Sequence, residues 1–176
     1  TPVVTKDLLD ALHEAMSQGV NEKMPADLKW FFEEWIYKAG QPEVEVSYVY
    51  NESTKKISIT ARQIQRLDSS SVFKTSFPFR IITAGSKKEF RMQTGIEPIT
   101  NKIKLDSKPL CVIFNKGNKV LSKIYFTKPK EDWLYQLRKS EDAIERITAI
   151  RGLKDFINDE SAVNAIAEVM TSDKFW

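Results

Sequence analysis

Side chains that commonly do chemistry are scarce in this chain. It carries one histidine, His13, and one cysteine, Cys111. A catalytic zinc needs three protein ligands, and no His-Glu-x-x-His pair is present. A Ser-His-Asp site would have to use His13, and no Gly-x-Ser-x-Gly elbow exists to expose a serine. His13 lies between Asp10 and Glu14, away from the apolar stripe of its segment, and is expected on a helix surface. Cys111 lies in the apolar run PLCVIF. A single thiol closes no internal disulfide and builds no thiolate cluster, so it reads as a small buried hydrophobe. Glu33 and Glu34 are adjacent on a helical pattern, point in different directions and cannot act as an acid–base pair. Gly85, Gly95 and Gly117 stand singly at turns and form no phosphate loop. No residue is therefore assigned to catalysis, to a cofactor or to a metal.

Two clusters suggest binding. Lys55, Lys56, Lys87, Lys88, Lys102 and Lys104 could form a patch for nucleic acid or an anionic surface. They are spread over many turns with no aromatic recognition strand, so the favoured reading is lysines that keep strand edges from pairing, and nucleic acid is disfavoured. Trp30, Trp35, Tyr48 and Tyr50 could stack a ligand, but their helical and strand spacing favours core packing.

The elements that would hold these residues follow from charge and period. Net charge is +3, with 41% hydrophobic and 29% charged residues, ordinary for a globular chain. A chain of 176 residues buries about 70% of its unfolded surface. No run of eighteen apolar residues marks a membrane span. Thr1 in place of an initiator Met reads as the start of an excised or processed piece. Residues 1–42 hold 4 basic and 7 acidic side chains, residues 43–129 hold 16 and 7, and residues 130–176 hold 7 and 10. These breaks coincide with changes of period and predict three segments.

In the first, Leu8, Leu9, Leu12 and Met16 line a helix over 5–18, capped by Thr5 and ended by Gly19. After a loop at 20–24, Pro25 or Ala26 opens a second helix that buries Leu28, Phe31, Phe32, Trp35 and Ile36 and stops at Gly40-Gln-Pro42. The middle segment alternates. Val44, Val46, Tyr48 and Tyr50 form one strand, Ile57, Ile59 and Ala61 its return, and Leu67 to Ser71 a polar turn. Phe77, Phe79 and Ile81 form a third strand, which Pro78 places at an edge or a strand start. Phe90 with Met92, then Ile99 to Leu105, give two more. The run Cys111 to Phe114 reads as buried on both sides, and Val120 to Phe126 returns after the turn at Asn115. Seven short strands with regular turn signals predict an antiparallel β-sandwich. After Pro129, Trp133, Leu134 and Leu137 predict a helical turn or two. A helix capped at Ser140 with Ile144, Ile147, Ile150, Leu153 and Ile157 on one face follows, then a last helix lined by Val163, Ile166, Ala167 and Met170. These two helices cannot bury both faces alone and resemble the first unit of a helical repeat array. Phe175 and Trp176 would want a partner. The expected fold is multi-segment α+β: two N-terminal helices, a roughly seven-stranded antiparallel β-sandwich and a C-terminal HEAT-like helical hairpin.

Five stretches in this order resemble the zinc aminopeptidases of the aminopeptidase N type. Phe32, Trp35, Gly40, Pro42 and Val46 match F-x-x-W-x-x-x-x-G-x-P-x-x-x-V at the end of that family's catalytic domain. Thr5-Lys-Asp-Leu-Leu-Asp-Ala-Leu is similar to its T-x-D-L-x-x-x-L helix. VEVSYVYN and KISITARQIQ resemble its next two strands, with Gln63 or Gln65 as the glutamine near the end of the second. KPLCVIFNKGNKVLSKI resembles P-x-x-V-x-x-D-x-x-x-x-x-L, with Asn115 where many members have Asp. DWLYQLRKSEDAIERITAIRGL resembles the passage into a C-terminal helical domain. The resemblance implies a boundary piece: 1–42 from the back of a catalytic domain, 43–129 a β-sandwich domain, 130–176 the start of a helical repeat domain. Zinc, the general-base Glu and the peptide substrate would belong to the intact enzyme, ahead of Thr1. The partners of this piece would be the neighbouring domains, and helices 5–18 and 141–170 would expose apolar faces or bury them by self-association. A related non-enzyme, the aminopeptidase-like scaffold subunit of the transcription factor TFIID, has a similar Trp-x-Tyr-Gln-Leu-Arg stretch (Trp133 to Arg138) and is the alternative.

Overall fold

The computed structural model describes residues 4–17, 27–65 and 72–173. The expectations at Gly19, 20–24, Pro25 and Ala26, Leu67 to Ser71, and Phe175 with Trp176 lie outside the described residues. Helix α1 (Thr5–Ser17) starts one residue after its cap. Asp7 accepts from the Val4 N–H at 2.8 Å, so Thr5 is the first helical residue and not the cap. Helix α2 (Lys29–Phe31) widens at once into a π-helical turn, Phe32–Ile36. In it the Tyr37 N–H donates to the Phe32 carbonyl at 2.9 Å. The widened turn buries Phe32 but leaves Phe31 and Ile36 exposed, which corrects the expected apolar face.

Seven strands follow: β1 (Glu43–Asn51), β2 (Lys56–Gln63), β3 (Ser76–Ile82), β4 (Lys87–Gln93), β5 (Ile99–Lys104), β6 (Cys111–Phe114) and β7 (Lys123–Thr127). They form two sheets, ordered β5-β2-β1-β7 and β4-β3-β6. Alternation sends Val44, Val46, Ile57, Ile59 and Ala61 inward from the first sheet, where they meet Phe77, Phe79, Ile81 and Val112 of the second. Phe77 stacks on Phe114 at 5.3 Å and Phe79 on Phe90 at 5.4 Å within the second sheet, and Phe114 meets Phe126 of the first sheet at 6.4 Å between ring centroids, which ties the layers.

Two strand relationships differ from the sequence expectation. β7 pairs with β1 in parallel, Glu43 opposite Lys123 through Ser47 opposite Thr127, so the sandwich is not purely antiparallel. The connection from β6 through Asn115, which sits at φ 52, brings the chain in along β1 in its own direction. β3 is a central strand in spite of Pro78. Its ladder with β6 begins at Phe79, so the proline lies just beyond the pairing that its missing N–H would break.

Pro129 caps helix α3 (Lys130–Lys139), a full ten residues where one or two turns were expected. Helix α4 (Ala143–Gly152) is capped by Asp142, and α5 (Glu160–Ser172) by Asp159. Here the expected faces are corrected in part: Leu153 is buried as expected and Ile150 and Ile166 are partly buried against the core. The buried residues are Glu145, Ala149 and Leu153, then Ala162, Ala165 and Val169. Ile144, Ile157, Val163 and Met170 are exposed. Small residues let the helix axes approach closely, and the larger ones are turned outward. α1 buries no residue and exposes Leu8. No helix among the described residues is long and apolar enough to cross a membrane.

Candidate functional site

The densest polar chemistry lies where the sandwich meets α3. β7 ends at Thr127, and the chain turns through Lys128 and Pro129 into the helix. That turn drives Lys128 inward, and its side chain is 0% exposed. The Lys128 ammonium donates to the Val112 carbonyl at 2.9 Å, to Gln136 Oε1 at 2.6 Å and to Asp132 Oδ1 at 3.4 Å. It also lies 3.9 Å from the centroid of the Trp133 ring. Lys128, Asp132 and Gln136 are spaced i, i+4, i+8, so one helix face supplies the carboxylate and amide that a buried cation requires.

Asp132 has further partners. It accepts from the Tyr48 hydroxyl at 2.8 Å and from the Val112 N–H at 3.2 Å. Burial raises the Tyr48 hydroxyl well above its ordinary range, and the Asp132 charge beside it adds to the effect. Gln136 Nε2 donates to the Glu145 carbonyl at 2.8 Å, linking α3 to α4. Glu145 is buried; its Oε2 accepts from Ser140 Oγ at 2.9 Å and its Oε1 has no hydrogen-bond partner among the described residues. A cleft of about 640 Å³ opens beside this network, walled by Trp133, Gly152 and Phe156. The Lys128 protons are committed to fixed acceptors and the Tyr48 proton to Asp132. The arrangement fixes the angle between β1, β6, α3 and α4, and Glu145 Oε1 is the buried side-chain oxygen it leaves without a hydrogen-bond partner among the described residues.

A second joint lies at the other end of the sandwich. The Gln63 side chain is buried; its Nε2 donates to the Phe73 carbonyl at 2.8 Å and to Thr94 Oγ1 at 3.0 Å, and its Oε1 accepts from the Phe73 N–H at 3.0 Å. Gln65 Nε2 donates to Gln63 Oε1 at 2.8 Å. Phe73, held in this way, meets the Trp35 ring at 5.0 Å between centroids. Glu34 accepts from the Lys74 N–H at 2.6 Å. Thus one glutamine ties the sandwich to the N-terminal helical turn.

The residues weighed from the sequence are dispersed. His13 is not a bare surface residue: its Nε2 accepts from the Leu28 N–H at 3.3 Å and lies 3.6 Å from Asp27 Oδ1, tying α1 to α2. Cys111 is fully buried, and burial pushes its thiol far above the ordinary range. Glu33 lies beside Lys29 while Glu34 turns to Lys74, so the two do not converge. Trp35 and Tyr48 serve different joints and form no common box. Lys55, Lys56, Lys102 and Lys104 gather at one corner of the first sheet, and Lys87 and Lys88 lie on the second. Lys128, Asp132, Gln136 and Glu145 were missed. The i, i+4, i+8 polar spacing was their signal, masked by the apolar Trp133, Leu134 and Leu137. Among the described residues no group of three His, Cys, Asp or Glu could hold a metal, and the one histidine is committed to Leu28. These residues do not fit a zinc site.

No protein-family model matches the chain, and no curated protein matches it. Among solved structures it is similar to the aminopeptidase A of Legionella pneumophila, determined in complex with aspartic acid, with a TM-score of 0.66 and 14% identity. The likeness covers 97% of this chain and 20% of that one, so the chain spans about a fifth of the length of that protein. Across nearly all its residues, then, the chain has the fold of part of an aminopeptidase.

Proposed function

We propose that this chain is a non-catalytic piece of a zinc-dependent aminopeptidase that, when intact, removes N-terminal residues from peptides. Residues 1–42 belong in this reading to the end of the catalytic domain, 43–129 to a β-sandwich domain, and 130–176 to the start of a HEAT-like helical domain. The sandwich is the spacer between the other two. The observation that supports this is the fold likeness to an aminopeptidase over 97% of the chain. The two buried joints fit the same role, since each fixes a helical segment against the sandwich through side chains that are fully engaged. Zinc, which would activate a water for peptide hydrolysis, and the peptide substrate belong to the intact protein. The partners of the piece are its neighbouring domains, and in isolation it self-associates through the exposed apolar faces of α1, α4 and α5.

The deciding experiment is to sequence the gene on either side of this segment. A His-Glu-x-x-His motif upstream of Thr1 is expected. A parent with those ligands replaced would overturn the peptidase reading and favour a TFIID-type scaffold. The purified chain is expected to hold no stoichiometric zinc and to leave aminoacyl anilides intact; metal-dependent turnover by it would also sink the proposal.

A further inference from the structure

β5 is an edge strand, paired only with β2 among the described residues. Alternate N–H and C=O groups along it therefore face away from the sheet. Its burial alternates: Ile99 and Ile103 pack against the core, while Thr100, Lys102 and Lys104 are exposed on the outer face. Lys104 stands directly opposite Lys56, and Lys102 opposite Ser58. Lys55 adjoins them in the left-handed conformation at φ 52. Like charges directly across a strand pair are destabilising.

The other strand cations of this sheet have carboxylates. Arg62 pairs with Glu45 and Lys123 with Glu43. The side chains of Lys55, Lys56, Lys102 and Lys104 have no acidic partner among the described residues; of the turn acids, Glu52 lies with Lys108 and Asp106 with Thr83 and Ser86. Beside the lysines the outer face carries hydroxyls, with Thr60 and Thr100 bonded to each other at 2.8 Å. Edge lysines deter pairing with another copy of the same basic strand. They do not deter a strand of opposite charge.

We propose that the free edge of β5 is a docking site for an extended acidic segment of a partner protein, which adds to the sheet as a fifth strand. Main-chain hydrogen bonds along β5 supply affinity, and alternate side chains supply selectivity. Carboxylates at every second position of the incoming strand recur about every 6.6–6.8 Å, the same repeat that separates Lys102 from Lys104. The residues between them face the layer of Ile99 and Ile103 and are apolar. Charge complementarity selects this occupant over a second copy of the chain.

The test uses the full chain and a short fluorescein-labelled peptide that alternates glutamate with valine. Saturable anisotropy change is expected, weakening with added salt, with amide shifts concentrated at 99–104. Lys102→Glu/Lys104→Glu is expected to weaken binding at least about tenfold. That variant places a glutamate opposite Lys56, so its fold is favoured; Lys102→Gln/Lys104→Gln is the second variant, expected to weaken binding by a smaller factor. Lys87→Glu/Lys88→Glu, on the other sheet, is expected to bind as before. The proposal is overturned by no binding, by undiminished binding to the β5 variants, or by equal binding of a peptide with its glutamates in one block. Equal binding of oligothymidylate would overturn it in favour of a non-selective polyanion patch.

Discussion

Gly152 and Trp133 touch so closely that a Cβ built on the glycine would overlap the indole ring. The glycine has ordinary helical dihedrals, φ −69 and ψ −28, so space and not backbone freedom is what it supplies. Gly152→Ala gains about 1 kcal/mol of helix propensity and loses about 1–3 kcal/mol to overpacking. A net loss of up to about 2 kcal/mol is expected from those two figures, read by urea unfolding. An unchanged or higher midpoint would show that α4 slides away from the ring without cost.

Lys128 is a cation with no solvent access, and its partners presuppose its charge. Lys128→Met leaves Asp132 buried beside an apolar chain. Removal of one partner of a buried pair costs about 3–5 kcal/mol. Calorimetry of the variant should show a Tm lowered by about 6–20 °C, from roughly 2–4 °C per kcal/mol in a chain of this size, or no cooperative transition. A variant as stable as the parent chain would mean that the network contributes nothing to stability.

Asp159 joins α5 to α3. Its Oδ2 accepts from Lys130 Nζ at 2.6 Å, and its Oδ1 from the Ala162 N–H at 3.2 Å. The lysine bond, with help from Ser161, holds the carboxyl at about 2 from the ordinary 3.8. A folded-state value below the unfolded one means that protonation favours unfolding. The stabilisation is present above pH 3.8 and is lost as pH falls through about 2. Asp159→Ala is expected to flatten the acid limb of a stability–pH curve in that window; an identical limb would refute the linkage.

Cys111 is inert by the same logic of burial. Its thiol is pushed upward, so little thiolate forms at neutral pH. Ellman's reagent should leave the native chain unmodified and react fully in guanidinium. Stoichiometric reaction of the folded chain would show that the layer over β6 opens readily.

The strands were legible because their cause is local. Alternation at Val44 to Tyr50 and at Ile57 to Ala61 records one buried face, and the unbroken run Cys111 to Phe114 records two. The joint at Trp35 was legible as aromatic packing, and Gln63 was one of two glutamines, with Gln65, marked among the resembling residues. The partners that make these residues a joint were not, since Gln63 meets Phe73 and Thr94 only once the sheets are stacked.

What sequence alone determined was the number and order of the strands, the helical character of both ends, and the poverty of reactive groups, since one histidine and one cysteine limit chemistry in any fold. Tertiary structure decided which helical face is buried. Periodicity marked the isoleucines of α4, yet close approach of helix axes selected Ala149, Ala162 and Ala165. It also decided the parallel course of β7 along β1, and the burial of Lys128. A lysine reads as surface in any local window. Only the convergence of Val112, Asp132, Gln136 and Trp133, brought from β6 and α3, lets its charge stay inside.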